Sequence, residues 1–141
     1  MRAPNQLPVI FHTGTPPYAQ PFQVVQWAEA YPDVPIILAH FASYSSQQPG
    51  IWFHNAVETM QQCKNVYVDI SAAHYLFDDE ENIRIIREKA GFGQVLFATD
   101  YPGPLHYGQT LETVQAHARP SDGVLFYGPW QVIPFQYYNP G

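Results

Sequence analysis

Four apolar runs in this chain each end near a residue that can bind a metal or transfer a proton, and their spacing constrains the fold. The runs lead to His12, His40, Asp69 and Asp100, which are about 30 residues apart. One strand with its helix and loops takes about 30 residues. Parallel strands place their C-terminal ends at the same face, so these side chains are expected to meet there. The spacing predicts an α/β fold of four consecutive parallel β/α units.

The positions of apolar residues, prolines and glycines give the expected elements. Strands are expected at residues 8–12, 36–40, 66–70 and 94–99. Helices are expected to begin at Pro21, to cover 51–63 and 79–90, and to end with a fourth at 108–118. Asp78, with Glu81 three residues later, is expected to cap the third helix.

The C-terminal stretch differs from the rest of the chain. Residues 119–141 contain two charged residues, four prolines and six aromatic residues, with no helical or alternating period. Such a composition is too aromatic for a solvated linker, so we expect an irregular tail packed against the sheet or a partner. A poorly ordered extension produced by an altered reading frame is the alternative.

Charge and cysteine content narrow the class of protein. The formal net charge is -6, from 12 acidic and 6 basic residues, and no basic cluster is present. Nucleic acid and anionic membranes are therefore not expected as partners. Cys63 is the single cysteine, the N-terminus lacks an apolar signal core, and no run approaches the ~18 apolar residues of a membrane span. The sequence predicts a cytoplasmic protein that acts on a small molecule.

The residues at the strand ends predict a metal site. His12 is followed by Thr13-Gly14, which leaves its imidazole accessible rather than packed against a neighbour. Asp100 is a carboxylate that follows an apolar strand. Alone, His12 or His40 is better explained as a rim residue that satisfies a backbone carbonyl than as a metal ligand. Together with Asp100, the set of nitrogen and oxygen donors suits zinc, with manganese or iron also possible. Such a metal would activate water or polarise a carbonyl or carboxylate.

Other polar residues near the third and fourth strands are weaker candidates. Asp69 lies within its strand and is expected to bond backbone groups below the site. Ser71 and His74 follow that strand and are expected to contact substrate, although loop residues without a role fit equally well. Tyr101 follows Asp100 and, with other loop aromatics, suggests an apolar or aromatic substrate body.

Four segments, in this order and spacing, resemble the second half of the amidohydrolase-related proteins, the TIM-barrel branch that contains aminocarboxymuconate-semialdehyde decarboxylase. The segments are LPVIFHTG, PIILAHF, NVYVDIS and VLFATDYPGP, within residues 6–104. The resemblance implies that His12 is a metal ligand and that His40 contacts the metal-bound water or the substrate. It implies that Asp100 ligates the metal or assists in activating water. The implied activity is hydrolysis or non-oxidative decarboxylation of a small carboxylated or aromatic compound.

The chain also departs from that family. The family's other two metal ligands are an H-x-H pair on its first strand, and no H-x-H occurs here. A complete barrel takes ~250 residues, so the resemblance implies a partial barrel domain at 1–118, holding strands five to eight, followed by the tail at 119–141. Its activity would then need a complementary half-barrel chain or self-association. There are two alternatives. One is a catalytically dead truncated product, and the other is a module that binds a small acidic ligand without turnover.

Overall fold

The chain forms a parallel sheet whose strands lie side by side in sequence order. The computed structural model describes residues 7–14, 17–43, 50–98 and 125–126. The strands are β1 (Val9–His12), β2 (Ile36–Ala39), β3 (Val66–Asp69), β4 (Val95–Phe97) and β5 (Leu125–Phe126). The order β1-β2-β3-β4-β5, with every pair parallel, winds in one direction. A (β/α)8 barrel winds in this way, whereas the strand order of a doubly wound sheet reverses.

Helices and short turns connect the strands. The helices are α1 (Val25–Ala30), α2 (Phe53–Gln62) and α3 (Glu80–Lys89). Short 3-10 segments occupy Pro21–Val24, His40–Ala42, His74–Asp78 and Phe92–Gln94. The predicted strands and the first three predicted helices are therefore confirmed, each within a few residues of its expected bounds. Part of the helix expected from Pro21 is a 3-10 turn rather than α-helix.

The cap of α3 lies one residue later than the sequence predicted. Asp79, not Asp78, is the N-cap, and its side chain accepts a hydrogen bond of 2.9 Å from the backbone N–H of Glu81. Asp78 instead ends the preceding 3-10 segment. The adjacent aspartates made the position ambiguous, because either one can accept from a backbone N–H of the first turn.

The core lies between one face of the sheet and the helices. Every residue of β2 is buried, as expected for a parallel strand with neighbours on both sides. The buried face of α2 follows the helical period and contributes Phe53, Ala56, Val57 and Met60. In contrast, β1 is an edge strand with its side chains exposed, and Ile10 retains 43% of its accessible surface.

The carboxamide of Gln94 joins three backbone carbonyls at the N-terminal end of the sheet. Gln94 is buried and directly precedes β4. Its Nε2 lies 3.0 Å from the carbonyl oxygen of Met60, 3.2 Å from that of Cys63 and 2.6 Å from that of Val66. These carbonyls belong to the last turn of α2, its C-cap and the start of β3. One side chain therefore satisfies helix-end carbonyls that have no partner within the helix.

Asn65 makes the same arrangement one β/α unit earlier. It directly precedes β3, and its Nδ2 lies 3.0–3.1 Å from the carbonyl oxygens of Ala28, Tyr31 and Val34. The acceptors again occur at intervals of three residues, and the middle one is the helix C-cap. We name Asn65 and Gln94 the carboxamide clamps.

Two parts of the sequence prediction fall outside the described residues. They are the helix expected at 108–118 and the tail at 119–141, except for Leu125–Phe126, which pair with β4 as a strand that the sequence did not predict. The division at residue 118 stays a prediction. Across the described ranges, no helix has the length and apolar character that crossing a membrane requires.

Candidate functional site at the C-terminal ends of the strands

The sheet places its candidate chemical residues at one end. His12 is the last residue of β1, His40 directly follows β2, and Asp69 is the last residue of β3. The parallel register pairs His12 with Ala39, so the two histidines are displaced by one residue along neighbouring strands. A buried hydrogen bond of 2.6 Å from Thr13 Oγ1 to the Ala39 carbonyl joins the two strand ends.

The two imidazoles are in contact. Their ring centroids are 4.9 Å apart and the planes cross at 70°. His40 is buried, with 5% of its surface accessible, whereas His12 is exposed. Two imidazoles that bind one tetrahedrally coordinated ion through nitrogen at ~2.1 Å have ring centroids roughly 5 Å apart. The spacing of the pair is therefore compatible with a shared ion or with a ligand on His12 that His40 can reach.

His40 begins a left-handed turn made of non-glycine residues. The φ angles are 62° at His40, 51° at Phe41 and 51° at Ala42. L-residues pay roughly 1–2 kcal/mol each for this conformation. The buried ring of Phe41 packs 5.4 Å from the ring of Phe53, and the Ser43 N–H donates to the His40 carbonyl at 2.8 Å. These contacts hold the turn, which directs Phe41 into the core while His40 remains beside His12.

One carboxylate oxygen of Asp69 supports the backbone around this turn. Asp69 Oδ1 accepts from the backbone N–H of His40 and from that of Ser71, both at 3.0 Å, and also from the Ser71 hydroxyl. Burial raises the pKa of the Asp69 carboxyl, and the bonds from Ser71 and His40 offset only part of that shift. The prediction that Asp69 bonds backbone groups below the site is confirmed.

Ser71 also contacts the ring of His40. The carbonyl oxygen of Ser71 and its Oγ both lie 2.9 Å from His40 Nδ1. Ser71 is buried, with 3% of its surface accessible. Its polar atoms are therefore engaged inside the protein, and its predicted contact with substrate stays a prediction.

The remaining predicted site residues are described in part or not at all. Asp100 and Tyr101 lie outside the described residues. His74 begins the 3-10 segment after β3, and the structure does not describe its side chain. Within the described ranges, no three His, Cys, Asp or Glu side chains are grouped so that they could hold a metal ion. The nitrogen donors His12 and His40 fit part of a metal site, and the carboxylate expected to complete it is Asp100.

Sequence reasoning missed two features of this site. The left-handed turn carries no glycine, so the usual signal for positive φ is absent from His40-Phe41-Ala42. The contact between Ser71 and the His40 ring joins residues 31 positions apart and depends on strand register. The Asp-x-Ser spacing at the end of β3 was the available clue, because an aspartate can bond a backbone N–H two residues on.

Comparisons with known proteins show similarity to amidohydrolases. A family model described as amidohydrolase matches residues 3–123. A solved structure, amidohydrolase 2 from Bifidobacterium longum subsp. infantis, matches with 16% identity and a TM-score of 0.43. That alignment covers 67% of this chain and 35% of the other, so the chain spans about a third of that protein's length. No curated protein sequence matches. The finer resemblance to the decarboxylase branch stays a prediction. Since the family model covers most of its residues, the chain belongs to the amidohydrolase family.

Proposed function

We propose that this chain carries part of the site of a metal-dependent hydrolase that acts on a small carboxylated or aromatic substrate. The observation that carries the proposal is the contact between His12 and His40 at the C-terminal ends of adjacent strands, in a chain of the amidohydrolase family. Active sites of parallel β/α folds are built at this end. An exposed imidazole beside a buried one gives a ligand that solvent can reach and a protected group that can move a proton.

The proposed metal is a divalent ion, zinc first, with manganese or iron as alternatives. His12 and Asp100 would hold it, and Asp100 is assigned from the sequence alone. The bound ion would supply Lewis-acid activation of water or of a substrate carbonyl. The imidazole of His12 suits zinc and iron, whereas manganese, like magnesium and calcium, is better suited by oxygen ligands such as the carboxylate of Asp100.

His40 is the proposed acid–base residue. Its burial and its hydrogen bonds at Nδ1 restrict the ring, so that Nε2 is the atom at which a proton from water would be accepted. His74 and Tyr101 are the proposed contacts for the substrate body. Ser71 supports this site from within, through the His40 ring.

We also propose that a complementary half-barrel chain or segment pairs with the outer edge of β1. Strands of parallel sheets are normally covered on both faces. Here Val9 and Ile10 are 42% and 43% exposed. Among the described strands β1 lies at the edge of the sheet, where a further strand can pair with its backbone and cover its apolar side chains. Such a half would bring the ligands that the described residues do not supply. For location we propose the cytoplasm, supported by a single buried cysteine that has no partner cysteine in the sequence.

Metal content and turnover together test the proposal. With only His12 and Asp100 as ligands, metal binding by the 141-residue chain is expected to be weak, so the chain is expected to bind about one zinc or manganese ion under saturating conditions. His12→Ala and Asp100→Ala are each expected to lower metal affinity more than ~10-fold, since losing even a second-shell partner lowers it ~10–100-fold. His54→Ala is the matched control, because His54 is an exposed imidazole in α2.

The same samples distinguish the alternative functions. Hydrolysis of small aromatic esters or amides by the metal-loaded chain, alone or with a complementary half, supports the hydrolase. Release of CO2 from aromatic carboxylic acids, with no hydrolysis, would instead identify a decarboxylase. Metal-independent binding of a small acid without turnover would replace the proposal with a binding module. Light scattering gives the mass of the assembled species, and a monomer in all conditions would contradict self-association.

A further inference from the structure

We infer that Ser71 and Asp69 are positioning residues that hold His40 in the tautomer with its proton on Nδ1, so that Nε2 carries the lone pair. The inference deepens the proposed function and rests on it for its catalytic meaning, because His40 can accept a proton only at a ring nitrogen that bears a lone pair. The tautomer itself follows from the hydrogen bonds around three residues.

The groups around Asp69 Oδ1 determine the direction of the Ser71 hydroxyl. Asp69 Oδ1 already receives two backbone N–H groups, from His40 and from Ser71, at 3.0 Å each. An oxygen with two donors pointing at it acts as an acceptor, whether or not the other oxygen of the carboxyl carries a proton. The Ser71 hydroxyl must therefore donate its hydrogen to Oδ1.

The Ser71 hydroxyl has a single hydrogen. Because that hydrogen is directed at Asp69, Ser71 Oγ can offer His40 Nδ1 only a lone pair. The Ser71 carbonyl oxygen, also 2.9 Å from Nδ1, has no hydrogen to donate. Two acceptors therefore face one ring nitrogen, and only a protonated Nδ1 makes these contacts attractive. A neutral imidazole carries one such proton, which leaves the lone pair on Nε2.

The same carboxylate oxygen controls the backbone and the ring of His40. It binds the His40 N–H directly, in a residue with φ of 62°, and reaches the ring through the Ser71 hydroxyl. Without this oxygen, the Ser71 hydroxyl would be able to rotate and donate to Nδ1. That rotation would favour a proton on Nε2, and only the Ser71 carbonyl would still favour Nδ1–H.

Nitrogen NMR of the wild-type chain tests the inference without an activity assay. A long-range 1H–15N correlation spectrum distinguishes protonated from unprotonated ring nitrogens, at a pH about two units above the ordinary imidazole pKa of ~6.5. The His40 signals are assigned by their loss in His40→Gln. We expect a protonated Nδ1 and an unprotonated Nε2. A His40 that carries its proton on Nε2 would overturn the inference.

Variants of Ser71 separate positioning from general structure. Ser71→Ala is expected to lower the ratio of the Nδ1–H to the Nε2–H form by about 5- to 10-fold, the equivalent of one neutral hydrogen bond. Ser71→Thr keeps the hydroxyl and is expected to restore the wild-type ratio. Ser43→Ala is the matched control, since Ser43 is a buried serine whose Oγ donates to the Phe41 carbonyl at 2.9 Å. An unchanged His40 spectrum in a folded Ser71→Ala protein would overturn the role of the hydroxyl.

The outcomes for the tautomer and for the proposed function can be told apart. A protonated Nδ1 in a chain that binds no metal and hydrolyses nothing would support the tautomer and contradict the hydrolase. Metal binding and hydrolysis by a chain whose His40 carries its proton on Nε2 would support the hydrolase and contradict the positioning role.

Discussion

At the N-terminal ends of the strands the polar side chains that bind backbone carbonyls are the neutral carboxamides of buried Gln94 and half-buried Asn65, whereas at the C-terminal ends the buried polar groups are imidazole, carboxylate and hydroxyl groups. The NH2 groups of the clamps Asn65 and Gln94, with two hydrogens each, lie within hydrogen-bond distance of three carbonyls, and carboxamides do not titrate near neutral pH. Asp69, Ser71 and His40 form a network whose members can hold or exchange a proton. In β/α barrels the N-terminal face serves stability and the C-terminal face carries catalysis. The distribution of titratable groups between the two ends of this sheet matches the location of the proposed site.

The backbone differs between the two ends as well. Among the described non-glycine residues, positive φ angles occur at His40, Phe41 and Ala42, after β2, at Ala72, after β3, and at Ala19, before α1. Non-glycine residues in this region store strain, which persists only where surrounding contacts hold it. The residues around the clamps include Cys63, whose φ of -116° is ordinary extended backbone. Most of the strained residues, His40, Phe41, Ala42 and Ala72, therefore lie beside the titratable groups of the proposed site.

The largest effect on stability is expected at the clamps. Gln94→Leu removes the NH2 group that lies within hydrogen-bond distance of the carbonyls of Met60, Cys63 and Val66. We therefore expect a loss of about 3 kcal/mol in the free energy of unfolding. Denaturant titration measures this loss, with Gln62→Leu as the control. The Gln62 carboxamide makes one exposed bond to Glu29, so its loss is expected to stay within ~0.5 kcal/mol. Asn65→Leu is expected to lose about 2 kcal/mol, since part of that clamp is exposed.

If Gln94→Leu and Gln62→Leu lose the same free energy of unfolding, the clamp would contribute no more to stability than an exposed carboxamide does. That result would contradict a stabilising role for the N-terminal ends of the strands. A further check is the metal content of Gln94→Leu under folding conditions. The clamp is at the opposite end of the strands from His12, so the variant is expected to bind metal as the wild type does.

Glycine substitutions compare the backbone of the two ends on a smaller scale. Ala28 is buried in α1, where glycine costs about 1 kcal/mol relative to alanine. Ala42 is also buried but has a φ of 51°, where glycine relieves roughly 1 kcal/mol of strain. Each variant also loses one methyl group, worth about 0.8 kcal/mol. Ala28→Gly is therefore expected to lose about 2 kcal/mol and Ala42→Gly close to none. Equal losses by thermal or denaturant unfolding would contradict strain in the left-handed turn.

The smallest expected effect is the pH dependence that Asp69 contributes. Burial raises the pKa of its carboxyl in the native state, so the native protein binds this proton more tightly than the unfolded chain does. The resulting stability is fully present below the ordinary carboxyl pKa of ~3.9 and is lost as pH rises through the raised native value. The free energy of unfolding of wild type minus that of Asp69→Asn should therefore fall between acid and neutral pH. If this difference in the free energy of unfolding instead rises with pH in denaturant titrations, the pKa of the Asp69 carboxyl is lowered rather than raised in the native state.

Much of the fold was accessible from the sequence, because the apolar runs of parallel strands and the helical period of α2 and α3 are local signals. The proximity of His12 and His40 was also accessible, since it requires only that neighbouring parallel strands end together. The position of the α3 cap was not, because Asp78 and Asp79 offer the same chemistry one residue apart.

The clamps and the tautomer network could not be predicted from local patterns. In the sequence, Asn65 resembles an ordinary loop residue and Gln94 the first residue of a strand, and their acceptors lie 28 to 37 positions away. Likewise, the Ser71 contact with His40 depends on the left-handed turn, which has no glycine to signal it. Both features become visible only when strand register and loop conformation are known.

Paramagnetic broadening by manganese tests the convergence of His12 and His40 on one ion most directly. Substoichiometric Mn²⁺ is expected to broaden the imidazole signals of His12 and His40 before those of His54, which lies in the helix layer. In His12→Ala the broadening of His40 is expected to require at least ~10-fold more Mn²⁺, because a ligand is lost. Equal broadening of His40 with and without His12, or equal broadening of His40 and His54, would contradict a metal bound between these strands.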